Sequence, residues 1–343
     1  AEGGTSVGTR PLSGAHRHAD EARTVRWEQL WGSLAVLLST IGFGALPTLT
    51  KLAYAAGLNV ATLLSLRFGL AALVIWGTLA LRWRVGFPGR HILSFLLLAA
   101  CFTGNTALFF SSLRYAPATA AAVLFYTYPV TVALLALLFL REPLTLQRVL
   151  ALALAMIGCG IVLGLSIGDI DARGLVFALA SGVIYAVYIV LSSRLLRGAV
   201  VAVASAWIMT FMALAFASFG AATGSLDLSF APAGWLLLFL IVTVSTVMPV
   251  QLFLAGTLRI GPTLASILGT MEPIFAVVFA ALVLGERLGW PQAIGGGLIV
   301  LAVLLLRLPP GLLASLAMGR RRSLQCQAIS GSGGAPRSDP EAR

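Results

Sequence analysis

The chain has 343 residues, of which 59% are hydrophobic and 10% charged, with a formal net charge of +11. A soluble domain carries roughly 25% charged residues, and 15 of the 35 charges here sit in two end segments, 1–31 and 308–343. Too few remain between them to cover a water-facing surface, which excludes a soluble enzyme and leaves an all-α polytopic membrane protein. The cations punctuate apolar runs, as loop charges do. They do not form one basic face interleaved with aromatic residues, so no nucleic-acid partner is expected.

In chain order, residues 1–31 are polar and lack the short apolar core and cleavage site of a secretory signal, so they are expected to form a cytoplasmic tail. About 20 apolar residues are needed to cross the hydrocarbon of a bilayer. Cutting the chain at charges, Gly/Pro and polar turns predicts ten spans: 32–55, 60–81, 91–113, 117–140, 147–167, 174–193, 199–222, 234–257, 262–285 and 290–307. Span 1 carries Ile41-Gly42-Phe43-Gly44 and Lys51, span 2 Arg67-Phe68, and span 3 Asn105. Span 4 reads Leu124-Phe-Tyr-Thr-Tyr-Pro129 and is followed by Glu142. Span 5 is rich in small residues, among them Ala151, Ala155 and Gly158. Span 6 holds Tyr185 and Tyr188, span 7 Trp207, and span 8 Gln251. Glu272-Pro273 lies in span 9, Glu286 follows it, and Gly295-Gly-Gly297 lies in span 10. Trp31, Trp83, Trp235 and Trp290 stand at span ends, as an interfacial aromatic belt would place them. The tail 308–343, rich in Gly, Ser and Pro, is expected to be disordered.

Ten spans put both termini on one side. That side receives Arg82, Arg84, Arg90, Arg141, Arg148, Arg194, Arg197 and Arg259 in addition to the cations of the tails, whereas the other side receives Arg114, Arg173 and Arg287. The positive-inside rule then predicts cytoplasmic termini. Arginine outnumbers lysine 22 to 1, which together with abundant Ala and Gly suggests a G+C-rich bacterial genome and hence a bacterial inner membrane.

The chain also repeats itself. Arg114-Tyr-Ala-Pro117 returns as Arg259-Ile-Gly-Pro262, Pro129 as Pro273, and Glu142-Pro-Leu144 as Glu286-Arg-Leu288, at offsets of 144 or 145 residues. Two halves, 32–167 and 174–307, follow, each of five spans. An odd number forces the second half into the membrane upside down, the inverted repeat of secondary transporters, in which substrate sits near the midplane between the repeats.

Arg67-Phe68, the Leu124–Pro129 stretch with Glu142, and Glu272-Pro273 with Gly285-Glu-Arg-Leu288 resemble the EamA-type transporters of the drug/metabolite transporter superfamily across roughly residues 33–306. Span 1 departs from that pattern, since Ile41-Gly42-Phe43-Gly44 stands where the family often has Trp-Gly. The resemblance implies a ten-helix carrier that exports amino acids or other small metabolites.

Glu272 is the single acid deep in a span. Such a group faces a cavity or a partner, so it is either a pathway residue, with protons as a candidate coupling ion, or a structural lock. Pro129 and Pro273 each remove a backbone donor and free the carbonyls of Phe125 and Gly269. Matched positions in the two halves point to gating, and a plain packing kink is the alternative. Tyr126 and Tyr128 stand at the depth of Glu272 and either pack or face a cavity. Lys51 and Arg67 either reach the interface with their charged ends or meet an anionic group of the substrate. Asn105, Tyr185 and Gln251 are further candidates for the pathway or for helix-to-helix hydrogen bonds. Glu142 and Glu286 read as structural groups at span ends, capping or pairing with loop arginines.

The histidines, His16, His18 and His91, lie outside the span interiors, and the cysteines Cys101, Cys159 and Cys326 are scattered, so neither a metal nor a disulfide framework is expected. With no phosphate-binding loop either, no cofactor is expected. A lipid-modifying enzyme would need several acids or histidines converging at one interface, and a scaffold or sensor would not need paired prolines and a buried acid. The partners expected are a small metabolite and the bilayer; nothing in the pattern specifies an oligomer.

Overall fold

The computed structural model describes residues 13–82, 89–164, 171–306 and 308. Trp83, Arg84, Cys326, the start of the N-terminal tail and the C-terminal tail beyond 308, all used in the sequence reading, lie outside the described residues. In lipid every backbone donor and acceptor must be satisfied within the protein, and the described chain does this with helices alone. These are α1 (Ser13–Ala55), α2 (Val60–Leu81), α3 (Ile92–Ser112), α4 (Ala118–Phe125), α5 (Tyr128–Leu135), α6 (Leu146–Leu163), α7 (Ala172–Leu195), α8 (Val201–Ala222), α9 (Ala233–Val242), α10 (Met248–Ile260), α11 (Pro262–Gly269), α12 (Glu272–Leu284) and α13 (Trp290–Leu305). Nine stretches among the described residues are long and apolar enough to span a bilayer, and α13 is a shorter apolar helix. The chain is a multi-pass, all-helical membrane protein built as two inverted five-helix repeats.

Local chemistry sets the ends of these helices. Asn59 caps α2 by accepting from the Thr62 amide at 2.8 Å, and Asp171 caps α7 by accepting from the Arg173 amide at 2.9 Å; each satisfies a donor that the first turn leaves free. Within the bundle, Ser39, Thr40, Ser192, Ser193 and Thr270 donate to carbonyls three residues back. That lets hydroxyls sit between helices with no external partner. Large apolar side chains such as Leu81, Leu93, Leu138, Leu282 and Trp290 point outward, and a bilayer is the solvent that suits them.

Three predicted spans are not continuous helices. Span 4 breaks between α4 and α5 and ends in a π-helical turn, Ala136–Leu140; span 9 breaks between α11 and α12; and a π-helical turn, Thr243–Val247, joins α9 to α10. Pro129 and Pro273 sit in the first turns of α5 and α12, where the missing N–H is one the helix would leave unpaired anyway. The prolines therefore restart helices, and do not merely kink them. Helix α1 extends beyond the first predicted span, since it is already helical at Ser13, while its stretch apolar enough to cross a bilayer runs from Arg26 to Ala55.

The repeat is visible in backbone detail. Thr127 donates to Leu124 and Val130 to Thr127, and, 144 residues on, Met271 donates to Leu268 and Ile274 to Met271, all at 3.1–3.2 Å. The Glu142 amide closes onto the Ala136 carbonyl and the Glu286 amide onto the Ala280 carbonyl. Before each glutamate stands a residue of positive φ, Arg141 at 56° and Gly285 at 70°.

Packing exchanges partners between the halves. Helix α1 lies against α10 and α12, while α7, its counterpart, lies against α3 and the α4–α5 pair. Helix α2 meets its own counterpart α8, and α6 meets α13. This pattern is unchanged when the halves are swapped, as a two-fold axis passing through the α2–α8 and α6–α13 contacts requires. The faces are consistent with it. On the face where α1 begins, the first face, Arg259 pairs with Glu28 at 2.8 Å and Gln147 donates to the Leu305 carbonyl at 2.6 Å. On the second face Lys51 pairs with Glu286 at 2.9 Å, Asn59 donates to the Ser225 carbonyl at 2.9 Å, and Arg173 lies over the Tyr115 ring at 5.8 Å. Helix α7 thus starts on the face where α1 ends.

At the α6–α13 contact, a Cβ on Gly158 would meet the Gly295 carbonyl oxygen at 2.7 Å, and one on Gly295 would meet the Gly158 carbonyl oxygen at 2.7 Å; around Gly297 nothing lies within 4 Å. Gly295→Ala should therefore destabilise by about 1–3 kcal/mol through overpacking, whereas Gly297→Ala should be neutral. Thermal unfolding of the two variants in detergent checks this, and equal behaviour would refute the close-contact account.

Candidate functional site

The two helix breaks fall in the interior of the bundle and bring polar groups with them. Glu272 is the first residue of α12, and Tyr128, its counterpart 144 residues earlier, is the first residue of α5. Glycines let these segments approach their neighbours. A Cβ on Gly44 of α1 would lie 3.0 Å from the Glu272 carbonyl oxygen, and one on Gly182 of α7 would lie 2.9 Å from the Phe125 carbonyl oxygen. That oxygen is the one Pro129 frees, and it faces the glycine surface of α7.

The Glu272 carboxylate lies near enough to the Tyr126 hydroxyl and to Arg67 for both to act on it electrostatically. Glu272 itself is half-buried, while Tyr126 and Arg67 are 7% and 8% exposed. Arg67 is held on three sides. Its Nε donates to the Thr246 hydroxyl at 2.7 Å, one terminal nitrogen reaches the Ser245 carbonyl at 3.4 Å, and its guanidinium carbon lies 5.0 Å from the Phe68 ring centroid. Thr246 in turn donates to the Ile241 carbonyl five residues back, a spacing that only the wider π-helical turn supplies. The buried guanidinium and the turn in span 8 thus depend on one another.

Around the carboxylate stands an aromatic group. The Tyr185 ring lies 4.9 Å from Tyr128, 5.4 Å from Phe125, 6.0 Å from Tyr188 and 6.2 Å from Phe102, centroid to centroid. Tyr128 and Tyr188 are buried, while Tyr185, Phe125 and Phe102 keep partial exposure. The Tyr128 hydroxyl is seated over Gly269, where a Cβ would meet it at 2.6 Å.

Of the residues singled out in the sequence, Glu272, Arg67, Tyr126, Tyr128 and Tyr185 come together, with Pro129 and Pro273 at the breaks that carry them. Lys51 is exposed and joined to Glu286 at the second face. Asn105 accepts from the Ser181 hydroxyl at 3.0 Å, an α3–α7 hydrogen bond about one turn along from the Phe102–Tyr185 contact. Gln251 is half-buried on α10. Sequence reasoning missed Thr246, Ser245, Phe125 and Phe102. The signal for the first two was present in the Thr243-Val-Ser-Thr246 run, three hydroxyls within an otherwise apolar span. Among the described residues no group of His, Cys, Asp and Glu could hold a metal ion.

The family model described as the EamA-like transporter family matches residues 30–164 and again 172–308. The chain belongs to the EamA-like transporter family. Among curated proteins it is 29% identical over 292 residues to the uncharacterized transporter YcbK of Bacillus subtilis, covering 81% of this chain and 93% of that one. It is 30% identical over 276 residues to an uncharacterized transporter of Archaeoglobus fulgidus, covering 80% and 96%. It is also 29% identical over 226 residues to the threonine/homoserine exporter RhtA of Escherichia coli, covering 64% and 72%. One solved crystal structure shares the fold with a TM-score of 0.68 at 19% identity, covering 80% of this chain and 95% of that one. Family and relatives alike are transporters, and they point to transport and not to an enzyme.

The seat of the Tyr128 hydroxyl gives a direct check on this geometry. Gly269→Ala should destabilise the protein, and Tyr128→Phe, which removes the hydroxyl that the new methyl meets, should recover most of the loss. A double-mutant cycle on unfolding should give a coupling of about 0.5–3 kcal/mol. Additive effects would mean that the two groups are not in contact.

Proposed function

We propose that this EamA-family protein is a secondary active transporter of the bacterial inner membrane. In this reading it exports small amino-bearing metabolites by alternating access between its two repeats. The observation that carries the proposal is the composition of the central group. Arg67, Tyr126 and Tyr128 come from the first half and Glu272, Tyr185 and Thr246 from the second, so rocking one half against the other alters the site. A half-buried carboxylate among partly exposed aromatic rings suits an ammonium group, which is held by the negative charge and by the negative faces of the rings. The similarity to RhtA, named for two amino acids, supports a substrate of that class.

The same carboxylate supplies a coupling mechanism. A proton and an ammonium group both neutralise Glu272, and only one can do so at a time. If the site changes face only when Glu272 is neutralised, inward movement of a proton returns the carrier for outward movement of the next substrate. Glu272→Gln keeps the shape and is permanently neutral. In proteoliposomes it should abolish accumulation of threonine, homoserine or a simple amine driven by a pH gradient, while the variant remains folded and monodisperse. Gradient-driven accumulation at the wild-type rate would assign Glu272 a structural role and remove the coupling mechanism.

The cation distribution supports cytoplasmic termini, which makes the first face cytoplasmic and the second periplasmic. A Ser330→Cys variant stripped of its native cysteines should react with an impermeant maleimide only after permeabilisation of the cells. Labelling of intact cells would reverse the orientation.

A further inference from the structure

Glu142 and Glu286 occupy equivalent places in the two repeats, 144 residues apart, each just after the positive-φ residue that ends the span carrying a helix break. Sequence reasoning treats them as structural groups at span ends. The structure shows that each reaches across to the other repeat, and that they do so on opposite faces. On the first face Glu142, from the first repeat, lies against Gly261, the turn into α11 of the second repeat, whose Cβ would fall 2.5 Å from Oε1. On the second face Glu286, from the second repeat, pairs with Lys51 on α1 of the first at 2.9 Å.

The two contacts differ in how tightly they are seated. The Glu142 side chain is 22% exposed, and its ion-pair partner Arg148, at 3.5 Å from Oε2, belongs to the same repeat. The Glu286 and Lys51 side chains are 53% and 66% exposed. Gly261, at φ +84°, leaves room for the Glu142 carboxylate that any side chain there would occupy. One inter-repeat contact is therefore packed into the protein and its counterpart lies open to solvent, as alternating closure of two related ends would produce.

We infer that Glu142 and Glu286 are paired gating residues of the transport cycle. Glu142 packs against Gly261 where the first-face ends of the two repeats meet, and Glu286 pairs with Lys51 where their second-face ends meet. Each contact tightens as the other loosens. This rests on the alternating-access reading above. It concerns positions at the two ends of the bundle, whereas the substrate group lies between them. Neither glutamate touches the Glu272–Arg67 group in the structure, so each acts by positioning the repeats.

The test uses the full chain with its native cysteines replaced and Met271→Cys as a reporter beside Glu272, labelled by an impermeant maleimide from each face in intact cells and in inverted vesicles. Glu286→Ala and Lys51→Ala should raise the labelling rate from the second face several-fold and lower it from the first. Glu142→Ala, which removes the side chain packed against Gly261, should do the opposite. The charge-swapped pair Lys51→Glu with Glu286→Lys should return both rates to the wild-type values, which a general loss of stability would not do. Variants that shift both rates in the same direction, or a charge swap that fails to restore them, would overturn the gating roles while leaving alternating access intact. A parent protein labelled from one face only, whatever gradient is imposed, would overturn alternating access and the gates with it.

Discussion

A helix that stops in the middle of a bilayer must find partners for the backbone groups it releases, because the lipid offers none. Both α4–α5 and α11–α12 stop in this way, and the rest of the bundle is arranged to meet that demand. The carbonyl at Phe125 turns towards the bare surface of Gly182, and the backbone at Glu272 lies against Gly44. Short i→i+3 hydrogen bonds bridge both gaps. Only side-chain-free neighbours permit such proximity, which explains why the glycines of α1 and α7 stand where they do.

The same breaks create the chemistry. An unbroken α-helix would have carried Glu272 and Tyr128 round its surface with its own periodicity. Restarting the helix places each at a first turn, inside the bundle and between the repeats. Their identities differ because the site is not symmetric: one half supplies an acid, and the other a phenol whose hydroxyl rests on Gly269. Arg67 has no symmetric counterpart either, since its partners are the hydroxyl and carbonyl of a π-helical turn found only in span 8 among the described spans of that pair. Symmetry provides the frame, and departures from it provide the binding group.

Much of this was legible in the residues alone. Ten apolar runs, motifs duplicated at offsets of 144 or 145 residues and one deep acid lead directly to an inverted-repeat membrane protein with Glu272 near its centre. Helix interruption was less legible, since proline was read as a kink: sequence shows that a donor is missing but not whether the chain uses the site to begin a new helix. Partners across the bundle, such as Thr246 for Arg67, lie 179 positions away in the chain. A hydroxyl in an apolar span gives no indication of which neighbour it serves, because its usual fate is a bond to its own helix. Lys51 is legible as a cation within span 1, but its partner Glu286 is found only from the fold.

The exchange of partners between the halves also determines when the molecule can assemble. Helix α1 leaves the ribosome before the other described helices, yet its neighbours α10 and α12 are encoded about two hundred residues later. At synthesis rates of about 5–20 residues per second, that is a wait on the order of ten seconds or more. Throughout it, the surface of α1 around Gly32, Gly42 and Gly44 that later receives α10 and α12 has only lipid or an insertion factor against it. Among the described helices α13 is made last, and a chain truncated before Trp290 would leave Gly158 without its counterpart Gly295.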